Sequence, residues 1–220
     1  MGEMVEFASN GTTCAGYLAT PRDTGPGVVV IQEWWGLVDH IKDLCDRFAS
    51  EGFVALAPDL YHGVATTEPD EAGKQLMSLG IEQAGKDMAG AVDFLLDHPS
   101  VSPKSVGTTG FCAGGTLALY LATIKPVMAC ATFYPYPFFE YPDLSTITGR
   151  VQFHIAEHDQ GPTVAQAQEL ADALGERADL YVYEGADHAF MNDTRTEAYR
   201  PDAAKLAWER MIALFTTNLT

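Results

Sequence analysis

The string Gly110-Phe111-Cys112-Ala113-Gly114 sets a thiol midway between two glycines. Such spacing suits a tight turn from strand to helix, whose strained apex thrusts one side chain outward. The flanking positions must be small there, because strand and helix backbones pass within contact distance. A thiol becomes a strong nucleophile once its proton is removed, and the N-terminus of the following helix favours the thiolate. The chemistry on offer is attack on a carbonyl carbon.

A thiol in that role needs a base, and the base needs an orienting acid. His188 lies in Gly185-Ala186-Asp187-His188-Ala189-Phe190, in the loop between the last predicted strand and the last predicted helix. Asp159 stands just past the strand ending at Ala156. Nucleophile, acid and histidine, in that chain order and each after its own strand, form the arrangement used by hydrolases of the α/β type. The other histidines fit that role less well. His40 and His98 read as solvated groups on helix faces or ends, and His154 as a packing residue inside a strand. His62 follows Asp59 in a loop and could line a pocket; His158 could support its neighbour Asp159. Asp187 is a weaker orienting acid, since adjacent side chains rarely face one another.

These residues need a sheet to hold them. Val5–Phe7 and Ala15–Ala19 read as a hairpin about Asn10-Gly11. Val28-Val29-Val30-Ile31 is a continuous apolar run, the mark of a strand buried on both faces of a parallel sheet. Further strands are expected at Phe53–Ala57, Ser105–Thr109, Met128–Phe133, Val151–Ala156 and Leu180–Tyr183. Helical periodicity falls between them: His40 to Ala49, one or two helices from Asp70 to Leu96, and one through Leu117, Leu121 and Ala122. Pro162 is placed to open another helix and Gly175 to close it; the last follows Pro201. Alternation of this kind predicts the α/β class: a mostly parallel central sheet with helices on both faces, in a single domain over 1–220.

Bulk properties agree with a small-molecule enzyme. The hydrophobic fraction of 47% supports a globular core. A net charge of −17 repels phosphate backbones, so nucleic acid is not an expected partner. No apolar run approaches the roughly 20 residues that span a bilayer, and the first residues lack a signal-peptide pattern. A cytoplasmic monomer or homodimer is the expectation. Cys14, Cys45, Cys112 and Cys130 are widely spaced and form no C-x-x-C pair, which argues against disulfides and against a cysteine-built zinc site. No metal or cofactor is expected.

Taken together, the motifs resemble the dienelactone hydrolase (carboxymethylenebutenolidase) family of the α/β-hydrolase fold, over nearly the whole chain. The resemblance rests on Gln32-Glu33-Trp34-Trp35-Gly36, Ala57-Pro58-Asp59-Leu60-Tyr61, the Cys112 turn and the His188 loop. It implies a Cys112–His188–Asp159 triad acting on small lactones or esters through a thioester. It also implies that Glu33 helps control the thiol and that the N–H groups of Trp34 and Ala113 form an oxyanion hole. Family members hold a substrate carboxylate with arginines. The position four after His188 is Asn192, with Arg195 nearby, and the stretch 66–80 holds Lys74 but no arginine. These departures point to a substrate other than dienelactone itself. The aromatic run from Phe133 through Tyr134 to Pro142 is a candidate wall or lid, with Tyr134, Asn192 and Arg195 as substrate contacts. A competing reading is a hydrolase-fold protein that binds ligand or senses oxidants through Cys112 with little turnover.

Overall fold

A computed structural model describes residues 2–9, 11–140 and 143–220. Its centre is an eight-stranded sheet in the order β1-β2-β4-β3-β5-β6-β7-β8. The strands are β1 (Glu3–Ser9), β2 (Thr12–Ala19), β3 (Gly25–Ile31), β4 (Val54–Pro58), β5 (Val101–Phe111), β6 (Ala129–Phe133), β7 (Arg150–Ala156) and β8 (Ala178–Tyr183). β1 and β2 form the expected antiparallel hairpin, with Glu3 opposite Leu18 and Ser9 opposite Thr12. Asn10, half of its turn signal, lies outside the described residues, as do Tyr141 and Pro142 of the aromatic run. β2 pairs antiparallel with β4, and the strands from β4 to β8 run parallel.

Val28, Val29, Val30 and Ile31 have no exposed surface, as a continuous apolar run in a central parallel strand requires. Successive side chains point to opposite faces, so β3 feeds two cores. One gathers Val28 and Val30 with α1 (Asp39–Ser50) and α6 (Pro201–Asn218). There Phe48 meets Phe53, Trp208 and Phe215 at ring-centroid distances of 6.1, 4.8 and 6.0 Å. The other gathers Val29 and Ile31 with α3 (Ile81–Asp97), α4 (Ala113–Ile124) and α5 (Val164–Leu174). Each large side chain so buried contributes roughly 1.5–3 kcal/mol. Helices therefore cover both faces, as the alternation predicted. None is long and apolar enough to cross a membrane.

Of the one or two helices expected over 70–96, two are present, α2 (Pro69–Ser78) and α3, parted at Leu79 and Gly80. Other local expectations are corrected. Pro162 stands outside α5. Thr163 caps that helix instead, its hydroxyl accepting from the Gln166 N–H while Gln166 Oε1 accepts from the Thr163 N–H. Gly175 does close it, at φ 58°. His40 is not solvated: it is 3% exposed, because the α1 face that carries it turns inward. His98 is half-buried at the end of α3, against Phe94.

Candidate active site

The glycines of the Cys112 turn answer to measurable crowding. A Cβ on Gly110 would stand 2.0 Å from the Gly114 carbonyl oxygen, and one on Gly114 would stand 2.3 Å from that of Gln32. Neither backbone atom can yield, so both positions exclude any side chain. Cys112 occupies φ 56°, ψ −123°, between the end of β5 and the start of α4. Few non-glycine residues adopt positive φ, and strain of this kind is held only where surrounding bonds over-determine it. Here the Cys112 N–H donates to the Phe133 carbonyl at 3.1 Å, and its own carbonyl accepts from Gly115 at 2.9 Å and Tyr136 at 3.0 Å.

Two loops at the same end of the sheet deliver the other groups. β7 and β8 are neighbours in register, Ala156 beside Tyr183, so the loops that follow them leave the sheet side by side. They are laced together. The Glu157 N–H donates to the Tyr183 carbonyl at 3.1 Å, the His158 N–H to the Ala186 carbonyl at 3.0 Å, and the Gly185 N–H to the Glu157 carboxylate at 2.8 Å. Across this seam His188 Nδ1 lies 2.8 Å from Asp159 Oδ2. Asp159 Oδ1 accepts from the Gly161 N–H at 3.1 Å, which fixes the carboxylate.

Burial alone would discharge His188. Its hydrogen bond to Asp159, the negative charge of that carboxylate and the nearness of Cys112 outweigh that cost, holding the His188 pKa up at about 10 against an ordinary 6.5. His188 thus contacts Asp159 and lies close enough to Cys112 for that group to bear on its charge. A raised histidine pKa stabilises the fold fully below pH 6.5, and the contribution is lost as pH rises through about 10. The unfolding midpoint of the protein should therefore fall more steeply over that interval than that of His188→Gln. Thermal melts at stepped pH read this directly, and parallel curves would contradict it.

Glu33 follows β3 and is 2% exposed. One oxygen accepts from Asn192 Nδ2 at 2.8 Å, and the other has no hydrogen bond among the described residues. Asn192 is in turn clamped by Thr194, whose N–H and hydroxyl both donate to Asn192 Oδ1, at 3.1 and 2.6 Å. This corrects the expectation that Asn192 contacts substrate: it is 2% exposed and holds Glu33. Tyr134 is likewise no wall. It has no exposed surface and lies beneath His188, ring to ring at 4.9 Å. Its neighbours Tyr136, Pro137 and Phe138 take the wall position.

A cleft of about 900 Å³ opens over Cys112 and His188. Trp34, Tyr136 and Phe138 line it, together with Leu76 and Met77 of α2. Met77 sits off the buried stripe of α2 and is 83% exposed, a pattern that in sequence resembles an ordinary solvent face. Arg195 does reach the cleft, but Glu197 holds it, with Nε and Nη2 at 2.9 and 2.8 Å from one carboxylate oxygen. Lys74 pairs with Glu71 on the surface. His158 lines the cleft rim and Asp187 pairs with Arg200 at 2.6 Å, so neither competes with the His188–Asp159 contact. His154 is buried, stacked on Phe133 at 4.3 Å, with its pKa pushed down to about 3 by burial and by Arg210.

The model of the dienelactone hydrolase family matches residues 14–219. Protein usf of Aquifex pyrophilus is 42% identical over the full length of both chains. A relative in Aquifex aeolicus named "Putative carboxymethylenebutenolidase" is 38% identical, again over all of both chains. Among solved structures, the dienelactone hydrolase-like promiscuous phosphotriesterase P91 from metagenomic libraries superposes with a TM-score of 0.86. The match covers 100% of this chain and 99% of that one at 24% identity, a likeness of fold.

Proposed function

The chain belongs to the dienelactone hydrolase family of α/β-hydrolases, enzymes that cleave carboxylic esters and lactones, and from that membership we propose that Cys112, His188 and Asp159 work as a triad on small neutral substrates. The observation that carries the reading is the 2.8 Å His188–Asp159 contact, with Cys112 lining the same cleft near enough to raise the imidazole's pKa.

In this mechanism His188 holds the thiol proton and Cys112 attacks the carbonyl carbon. The developing oxyanion takes hydrogen bonds from the N–H groups of Trp34 and Ala113. Ala113 opens α4, so its N–H has no acceptor within the helix. The oxyanion collapses, the C–O bond of the ester or lactone breaks, and the imidazolium protonates the departing oxygen. Neutral His188 then removes a proton from water, which attacks the thioester and frees the acid, and the proton returns to the leaving thiolate. Glu33, buried just after β3 and locked by Asn192, supports this cycle as a positioning residue for the thiol.

Neutral substrates follow from the lining. Arg195 is the one guanidinium among the described residues of the cleft and Glu197 already holds it, so an added carboxylate finds no unpaired guanidinium there. Steady-state comparison of a dienelactone carboxylate with its methyl ester should give the ester a kcat/KM at least about tenfold higher. A preference for the free carboxylate would refute the neutral-substrate reading. Mass spectrometry of the quenched ester reaction should find the acyl group on Cys112; acylation elsewhere would refute the triad.

A further inference from the structure

A second cysteine–histidine–aspartate cluster lies apart from the cleft. Cys14 projects from β2, His62 from the loop after β4, and Asp87 from α3. Their Sγ, imidazole nitrogen and carboxylate oxygen lie within 4.8 Å of one another. The order of strands explains the meeting. β2 pairs with β4, the Asp59 N–H donates to the Ala15 carbonyl at 2.8 Å, and α3 packs against this edge of the sheet.

Asp87 is the informative member. Its side chain is 1% exposed, and Oδ1 accepts from Gln83 at 3.0 Å and from Ser9. Oδ2 has no hydrogen bond among the described residues; it lies 3.2 Å from His62 Nε2, an ion pair only when that imidazole is protonated. A buried carboxylate oxygen left this way is costly unless a cation meets it. The Cys14 thiol is buried beside it, pushed up to about 12 by burial and by the charges of Asp87 and Asp59. Two acidic groups and a thiol, gathered in low dielectric, form a field that a divalent cation would relieve.

We propose that Cys14, His62 and Asp87 form a binding site for a thiophilic divalent metal ion, zinc in the first instance. One sulfur, one nitrogen and one oxygen make a three-ligand set that zinc accepts, with water in the fourth position. The half-exposed edge of His62 leaves room for that water. Bonds of about 2.0–2.3 Å require the ligand atoms to close somewhat, and the solvent-facing imidazole is free to make that movement. On binding, the Cys14 S–H bond breaks, its proton passes to solvent, and the sulfur–metal bond forms. The ion would tie the N-terminal hairpin to α3 and to the loop that carries Tyr61, a residue close enough to Cys112 to feel its charge.

The test is titration of the full chain with Zn²⁺ or Co²⁺ in a Cys112→Ser background, which removes the thiol of the catalytic cleft. One equivalent of cobalt should give a thiolate-to-metal absorption band, and Cys14→Ala should abolish it. Asp87→Asn and His62→Asn should each weaken zinc at least about tenfold. Asparagine is chosen at His62 because that residue sits at φ 51°, which Asn tolerates. Zinc at a hundredfold excess over Kd should raise the unfolding midpoint by roughly 5–10 °C. A band that survives Cys14→Ala, zinc affinity unmoved by His62→Asn, or no stoichiometric binding would each overturn the proposal. If Cys14→Ala or Asp87→Asn does not fold, the His62 variant decides alone, because its side chain lies at the surface.

Discussion

Cys112→Ala is expected to lower kcat on an activated aryl ester by about 10⁴-fold or more, with the fold intact. The size follows from what is lost. Without sulfur there is no covalent intermediate, and only the oxyanion donors and the shape of the cleft remain to assist direct attack by water. Stability should change little, because Ala removes one atom at a position 9% exposed and leaves the backbone bonds to Phe133, Gly115 and Tyr136 in place. Cys112→Ser separates nucleophile from geometry. It keeps a hydroxyl at the apex, but His188 must then deprotonate a far weaker acid, so most of the activity should disappear as well. Stopped-assay kinetics on purified variants, with circular dichroism to show folding, read both effects. Activity of Cys112→Ala within tenfold of the parent would remove Cys112 from the mechanism.

The second large effect belongs to Asp159. Two donors converge on its carboxylate: His188 at 2.8 Å on one oxygen and the Gly161 N–H at 3.1 Å on the other. Asparagine has one acceptor to offer. Either it satisfies Gly161 and turns an N–H toward His188, forcing the wrong tautomer, or it keeps the histidine and sets two donors against each other at Gly161. Asp159→Asn should cost about 10²–10⁴ in kcat, with a much smaller change in KM. Asp187→Asn, beside the histidine in sequence, should leave kcat within a factor of about three, because Asp187 is engaged with Arg200 at the surface. A comparable loss in both variants would mean that the loop, and not the acid, is what matters.

How far the sequence foretold these groups depends on the range of the interaction concerned. Cys112, Asp159 and His188 were legible because each follows a strand whose apolar run marks it, and their order along the chain is a one-dimensional signal. The buried β3 run and the capping glycine at 175 were legible for the same local reason. Asn192 was not. Its role depends on reaching Glu33 from the segment between β8 and α6, and no spacing in the sequence encodes that pairing. Tyr134 and Tyr136 look alike in an aromatic run, but the chain turns at Tyr134, φ 37°, sending the first ring under His188 and leaving the second at the cleft. His40 looked solvated because its own helix is polar around it. It is buried because the α1 face that carries it, with Ile41 and Leu44, turns inward, and its ring lies 3.4 Å from Asp193. Cys14, His62 and Asp87 are likewise brought together only by the pairing of β2 with β4 and the packing of α3.

The lacing of the loops after β7 and β8 has a consequence in time. A ribosome releases Cys112 well before Asp159, and Asp159 before His188, at about 5–20 residues per second. For several seconds the growing chain carries the elbow cysteine with neither partner available. The seam from Glu157 to Gly185 cannot close until β8 has emerged and added itself to the edge of the sheet, and only then does the imidazole reach the sulfur. In the proposed mechanism the thiol therefore gains its base only once β8 has joined the sheet.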